Sequence, residues 1–177
     1  GRKAQSNFTK ETMIEARRLH EKAIELDPNY ALAYASLGFV HANLHAYGWT
    51  EDTDRSLEIA LEMAQKAVAL KPGDYSSHWI LGRVYKQAGD FDRALAEYER
   101  ALGMNPNDAT LLADMVEILV QIGKAEDGVA QIKLAMRINP HYPDWYLWNL
   151  GWAQYFAGDY EEALVSLKRM SNPPNGA

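Results

Sequence analysis

Two histidines four residues apart are the first candidates for chemistry in this sequence. His41 and His45 would lie on one face of a helix, where two imidazoles can bind the same metal ion. The segment reads His-Ala-Asn-Leu-His, so it lacks the glutamate of the His-Glu-Xaa-Xaa-His zinc motif. No third or fourth ligand is evident nearby. We therefore do not expect a metal site.

Other catalytic patterns are also missing from the sequence. It contains no cysteine, which excludes thiol catalysis, disulfides and thiolate metal sites. It has no phosphate-binding glycine loop, no dinucleotide-binding glycine motif and no Gly-Xaa-Ser-Xaa-Gly elbow. Glu161 and Glu162 are better explained as charges that stabilise a helix N-terminus. We expect a chain that is not an enzyme and that needs no cofactor.

The composition narrows the class of protein further. The 177 residues carry a net charge of −6, and 47% of them are hydrophobic, as in an ordinary folded domain. No apolar run approaches the ~20 residues that span a bilayer, so we expect no membrane insertion. The mild acidity argues against a nucleic-acid partner. The absence of cysteine fits a reducing compartment, and we expect a cytoplasmic location.

The elements that would position any functional side chain are set by an internal repeat. Pro72, Pro106 and Pro140 are 34 residues apart, and Pro28 precedes Pro72 by 44. Small residues and glycines recur with the same period: Ala60, Ala94 and Gly128; Ala67, Ala101 and Ala135; Gly89, Gly123 and, after 35 residues, Gly158. Proline stops a helix and glycine favours the turn that follows one. The repeating unit is therefore a hairpin of two helices.

The spacing predicts an all-α fold of about nine helices. They are expected at about 9–26, 30–46, 51–70, 74–87, 91–103, 108–121, 125–137, 143–157 and 160–171. Asp90 and Asp159 are predicted N-caps, and Asp159 with Glu162 resembles a capping box. Candidate caps elsewhere are Asn29, Asp74, Asn107 and Asp108. Phe8, Thr9 and Met13 fit a hydrophobic staple around the cap of the first helix.

The residues that recur every 34 positions, together with the two-helix unit, resemble the tetratricopeptide repeat. The copy that fits best contains, in the family's order, His78, Leu81-Gly82, Tyr85, Ala94, Tyr98, Ala101 and Pro106. The third copy departs most, since Val116 replaces the glycine and Gly128 replaces an alanine. The resemblance covers nearly the whole chain and implies a right-handed α-solenoid. It places His41 at an inward packing position that is usually tyrosine in this family.

We expect a single array over 1–177, divided by the repeat. The predicted parts are an orphan second helix (1–28), a repeat with about ten extra residues (29–72), two regular repeats (73–106 and 107–140) and a last repeat with a linker (141–177). The orphan helix and the Pro-rich end at 171–175 predict a piece of a longer protein, because solenoids usually end in polar caps. The alternative is a complete chain whose ends self-associate.

The ten extra residues fall within Ala46–Arg55. Thr50 or Asp52 would cap the next helix, which is expected to be about two turns longer than its equivalents. Tyr47 and Trp49 either contact a partner or, as we favour, only pack against that long helix.

A more detailed resemblance concerns the last copy. Its residues Pro143, Trp145-Tyr146-Leu147-Trp148 and Leu150-Gly151, followed by Ala157 to Ala163, are similar to repeats attached to bacterial adenylate or guanylate cyclases and winged-helix regulators. The resemblance implies a regulatory, protein-binding appendage of a larger protein.

The family resemblance also implies a binding surface, on the first helix of each hairpin. The implied positions in the first two full repeats are Leu32, Ala35, Ser36, Phe39, Ala42 and Asn43, then Ser76, Trp79, Ile80, Arg83, Lys86 and Gln87. As partner-binding residues we select Phe39, Asn43, Trp79, Arg83, Lys86, Asp114, Glu117, Trp145, Trp148, Asn149, Trp152 and Phe156. Arg83 and Lys86 share a helix face, and Asp114 and Glu117 form an acidic pair one repeat later.

Three functions remain open at this point. The favoured one is a non-catalytic scaffold that binds a peptide or adjacent domain in a concave groove, with aromatic anchors. The second is self-assembly into a homo-oligomer, in which exposed end helices such as 160–171, with Leu164 and Leu167, stack between copies. The third is a small-ligand sensor whose pocket is the stripe Trp145–Phe156. The stripe could also be simple packing between repeats.

Overall fold

The structure is a computed structural model that describes residues 9–170, which fold into nine α-helices and no strand. The helices are α1 Lys10–Leu26, α2 Ala31–Ala46, α3 Thr53–Leu70, α4 Tyr75–Gln87, α5 Phe91–Met104, α6 Ala109–Gln121, α7 Ala125–Ile138, α8 Asp144–Ala157 and α9 Tyr160–Lys168. Every predicted boundary lies within three residues of the observed one. The all-α prediction is confirmed for these residues. Phe8 and 171–175 lie outside them.

The chain divides into two compact units, Gly1–Met104 and Asn105–Ala177. In the first unit α1 packs on α2, the hairpins α2–α3 and α4–α5 form, and α4 packs on both helices of the preceding hairpin. In the second unit α6 pairs with α7, α8 packs on both, and α9 pairs with α8. None of the helices in the described part is both long and apolar enough to cross a membrane.

Local capping explains where most helices begin. The Asp52 carboxylate accepts a hydrogen bond from Arg55 N–H (2.9 Å), and Asp108 Oδ1 accepts from Thr110 and Leu111 N–H (both 3.0 Å). Asp90 likewise accepts from Arg93 N–H (3.1 Å), as predicted. At Asp74, burial raises the pKa, but hydrogen bonds from Ser76 and Ser77 outweigh it and leave the pKa lowered.

Three candidate caps are wrong, and the first is Asn107, because the cap of α6 is its neighbour Asp108. Asp159 precedes α9 but accepts no capping hydrogen bond, so the box with Glu162 does not form. Helix α2 begins after Tyr30, which makes no side-chain cap, and not after a capping Asn29. Asp159 stands at the N-cap position but its side chain makes no capping hydrogen bond, whereas Asn29 lies one residue before the N-cap position.

The two helices of a hairpin approach each other across a glycine of the first helix. A Cβ placed on Gly82 would lie 2.5 Å from Cδ2 of Tyr98, and one on Gly151 would lie 2.7 Å from Cγ of Leu167. Real Cβ atoms do not come this close to a neighbour, so the absent side chain is what lets the second helix approach. In α2 the same place is held by Gly38, whose Cβ would lie 3.0 Å from the Ala60 carbonyl oxygen.

The third hairpin has different residues at this contact between its two helices. Val116 stands where the other copies have glycine, and it is fully buried. The small residue is now Gly128 on α7, whose Cβ would meet Val116 Cγ1 at 3.4 Å. A distance of 3.4 Å is ordinary van der Waals contact, so a Cβ at Gly128 would fit beside Val116.

The ten extra residues lie at the tip of the first hairpin, in the end of α2, the turn and the start of α3. Helix α2 has 16 residues where α4 and α6 have 13, and α3 has 18 where α5 and α7 have 14. The expectation of a second helix about two turns longer is wrong, because four residues are about one turn. The Tyr47 and Trp49 rings stack on each other with centroids 4.6 Å apart.

Replacing Gly82 with alanine tests the close approach. We expect the Gly82→Ala variant to lose about 1–3 kcal/mol of unfolding free energy, because Tyr98 is fully buried and cannot move aside without strain. The control is Gly103→Ala in α5, where a Cβ would meet nothing within 4 Å. That variant should gain about 0.5–1 kcal/mol from helix propensity. Urea titration measures both, and equal effects of the two substitutions would contradict the packing argument.

Candidate functional site

A cavity of about 430 Å³ lies in the first unit among α1, α2 and α4. Its walls are Met13, Ala16, His20, Leu32, Ala35, Ser36, Phe39, Val40, Ser76, Trp79, Ile80 and Arg83. Eight of these twelve are positions that the repeat resemblance assigned to the binding surface of the first two full repeats. Its size and mostly apolar walls are those of a ligand site.

The charged and aromatic groups of this cavity are arranged around Phe39. The guanidinium carbon of Arg83 lies 4.9 Å from the Phe39 ring centroid, a cation–π geometry. Burial lowers the pKa of His20, so this imidazole is mostly neutral at pH 7. Among the lining residues, Arg83 is then the cation and none is acidic. The cavity thus combines apolar walls with one positive side chain.

The structure separates the predicted residues of this unit into two groups. Phe39, Trp79 and Arg83 line the cavity together. Asn43 is buried outside the cavity walls, and its amide donates a hydrogen bond to the Phe39 carbonyl oxygen within α2 (2.6 Å). Lys86 is partly buried on α4 and lies outside the cavity walls.

In the second unit, the predicted polar residues lie on α6 and α8. Asp114 and Glu117 are partly buried and one helical turn apart on α6. The Asn149 amide donates a hydrogen bond to the Ala113 carbonyl oxygen (2.8 Å) and thereby ties α8 to α6. Because the Asn149 amide makes this contact between α8 and α6, that N–H is not available to bind a ligand.

The predicted aromatic stripe of α8 is divided by the fold. Trp148 and Trp152 line a cavity of about 510 Å³ between α8 and α9. Phe156 contacts Trp152 edge to face, with centroids 5.4 Å apart, and also lines a different cavity beside residues 123–127. Trp145 packs edge to face on Tyr146 at 4.3 Å. Trp145 and Phe156 are not among the residues that line the α8–α9 cavity.

Sequence reasoning missed the contribution of α1 to the first cavity. Met13, Ala16 and His20 line it, although α1 was interpreted only as an orphan second helix. Their spacing of three and four residues is the signal that they share a helix face. It also missed Tyr160, which lines the α8–α9 cavity from α9 and contacts Tyr155 edge to face at 5.4 Å.

The two histidines with metal-binding spacing have separate environments. His45 Nδ1 donates a hydrogen bond to the Thr53 carbonyl oxygen (2.9 Å), which closes the α2–α3 turn. His41 is 5% exposed, and burial, followed by the charge of Arg17, lowers its pKa to about 4. Across residues 9–170 there is no group of three His, Cys, Asp or Glu that could hold a metal ion.

Comparisons with known proteins agree with this architecture. Three family models, each described as a tetratricopeptide repeat, match residues 51–109, 86–146 and 145–169. The crystal structure of YrrB, described as a TPR protein with an unusual peptide-binding site, covers 89% of this chain and 76% of its own at a TM-score of 0.63. At a sequence identity of 22%, this likeness shows a shared fold and nothing further.

Curated relatives match at higher identity but over small parts of their length. The tetratricopeptide repeat and J domain-containing co-chaperone of Fusarium oxysporum f. sp. lycopersici is 30% identical over 184 residues, which cover 95% of this chain and 32% of the relative. A Rhizobium meliloti protein assigned as an adenylate cyclase is 31% identical over 80 residues, or 45% of this chain and 14% of the relative. The chain spans less than a third of the length of the curated relatives it matches.

The environment of His41 predicts how stability depends on pH. Its pKa is about 4 in the folded chain and about 6.5 when unfolded, so the unfolded state binds the proton more tightly. Stability should be complete above pH ~6.5 and should fall by about 1–2 kcal/mol by pH ~5 because of this residue. The His41→Phe variant should lose that part of the pH dependence. The exposed His141→Phe variant should retain it, and equal pH profiles for all three proteins would contradict the assignment.

Proposed function

Because the chain belongs to the tetratricopeptide repeat family, we propose that it is a non-catalytic protein-interaction module that binds a peptide segment of a partner in the α1–α2–α4 cavity. One observation carries this proposal: eight positions that the repeat resemblance assigns to the binding surface line a single apolar cavity. A site of this size accepts one or two large side chains.

The chemistry of the cavity supports a particular kind of peptide. Phe39, Trp79 and Ile80 offer flat or branched apolar surface, and such surface binds a Phe, Leu or Trp side chain of the ligand. Arg83 lies at the same wall and favours a carboxylate next to that anchor. The preferred segment therefore carries a large apolar residue flanked by Asp or Glu.

The relatives support a binding role of this general kind. YrrB is described as a TPR protein with a peptide-binding site, and the Fusarium relative is described as a co-chaperone. We extend the proposal to a regulatory role for the module, consistent with the resemblance to cyclase-attached repeats. The small-ligand role of the stripe Trp145–Phe156 stays a prediction, and the division of that stripe between two cavities weighs against a single aromatic pocket.

Two matched leucine variants test the proposed cavity. Leu32 lines it and is 53% exposed, whereas Leu19 on α1 is 52% exposed and lies outside it. A displayed peptide library is selected on the wild-type chain, and the affinity of the selected peptide is then measured for Leu32→Asp and Leu19→Asp. We expect Leu32→Asp to weaken binding about tenfold or more and Leu19→Asp to leave it within about twofold.

Both variants should remain folded, because each leucine is already half exposed, and thermal melting by circular dichroism checks this. Selection that yields no binding peptide would contradict the proposal. Equal loss of affinity in the two variants would show that the peptide binds elsewhere.

A further inference from the structure

Helix α9 exposes apolar side chains between two opposite charges, on the side opposite to its buried residues. It packs inward through Ala163 and Ser166. The outward side carries Glu161, Leu164, Val165 and Lys168, spaced by three, one and three residues, which places them in one stripe. Leu164 is 53% exposed and Val165 is 60% exposed. We call these four residues the α9 stripe.

Two copies of the α9 stripe complement each other when the two helices pack antiparallel. If a second copy of the helix runs antiparallel, with the two-fold axis between Leu164 and Val165, Leu164 of one copy lies opposite Val165 of the other. In the same register Glu161 of each copy lies opposite Lys168 of the other copy, which gives two ion pairs. Residues that contact each other reciprocally are what a two-fold interface requires. Within residues 9–170, neither Glu161 nor Lys168 has an ion-pair partner in its own chain.

We propose that the chain self-associates as a two-fold dimer through antiparallel pairing of the α9 stripe. The pairing places an apolar centre between two ion pairs, an arrangement that also fixes the register. It goes beyond the proposed peptide binding and uses only residues of the second unit, so either proposal can fail alone.

The neighbouring aromatic side chains make the contact large enough for a weak dimer. Tyr155 and Tyr160 are 57% and 64% exposed and lie in edge contact beside the α9 stripe. Trp148, 40% exposed, lines the cavity that both tyrosines border. Three half-exposed aromatic rings and two aliphatic side chains supply on the order of 500 Å² per copy. The total of about 1,000 Å² is at the lower end for specific interfaces, which predicts weak, concentration-dependent association.

Glu161 and Lys168 have a second possible role, which is to stabilise their own helix rather than a dimer. Glu161 in the first turn and Lys168 in the last turn also stabilise α9 itself through the helix dipole. That role predicts that charge reversal lowers the melting temperature in any variant and leaves the oligomeric state unchanged. Pairing predicts a change of oligomeric state that a second variant restores.

The test is sedimentation velocity of the 177-residue chain at about 5 μM and about 300 μM, which spans the range for weak association. Wild type should shift from monomer toward dimer. Glu161→Lys alone and Lys168→Glu alone should each weaken self-association about tenfold or more, because like charges then face each other at both ends. A mixture of the two variants should form a heterodimer, since all four facing charges are then opposite.

Two controls make each outcome decisive. Glu126→Lys reverses an exposed acidic residue in the first turn of α7 and should leave the wild-type dimerisation unchanged. The double variant Glu161→Lys/Lys168→Glu should dimerise again, although its helix dipole is opposed. A wild type that stays monomeric at the higher concentration overturns the proposal. Failure of the mixture to associate, with both variants folded by circular dichroism, overturns the antiparallel register.

Discussion

The fold depends on the close approach of the two helices in each hairpin. At Gly82 and Gly151 the first helix has no side chain, and Tyr98 or Leu167 of the second helix occupies the space that a Cβ would need. The third hairpin differs, because Val116 stands at this place and a Cβ on Gly128 would make only ordinary contacts. This contact buries one face of the first helix of each hairpin. The other faces of that helix can pack on neighbouring helices or face solvent. The surfaces that could bind a partner are therefore a consequence of where the small residues are.

The candidate site in the first unit follows from that arrangement. Helix α2 turns Gly38 toward α3, so Phe39 and Leu32 lie on faces that α3 does not cover. Helix α4 turns Gly82 toward α5 and leaves Trp79 and Arg83 beside Phe39. In the second unit α9 packs on α8 through Ala163, and its α9 stripe stays outside. Peptide binding and self-association would thus use different faces of the same kind of hairpin.

The sequence was sufficient for the helices and for most caps because both are local. A proline period of 34 residues and a capping aspartate such as Asp74 or Asp108 act within a few residues of the chain. Contacts between distant residues were not predictable. His78 Nδ1 lies 2.6 Å from Glu97 Oε2 in the core, and its Nε2 donates to the Pro72 carbonyl oxygen (2.9 Å). Helical spacing likewise placed Trp148 and Phe156 on one stripe, although the turn beside residues 123–127 and helix α9 separate their surroundings.

The glycine contacts hold the two helices of a hairpin together, and a double-mutant cycle between Gly151 and Leu167 measures one of them directly. Gly151→Ala should cost about 1–3 kcal/mol of unfolding free energy in the wild-type background, since the new Cβ meets the Leu167 side chain. In the Leu167→Ala background that side chain is gone, and the same substitution should cost much less. A coupling free energy of about 1 kcal/mol or more, from urea titration of the four proteins, is the predicted result. Strictly additive costs would contradict the account, because they would mean that the two residues do not set the distance between α8 and α9.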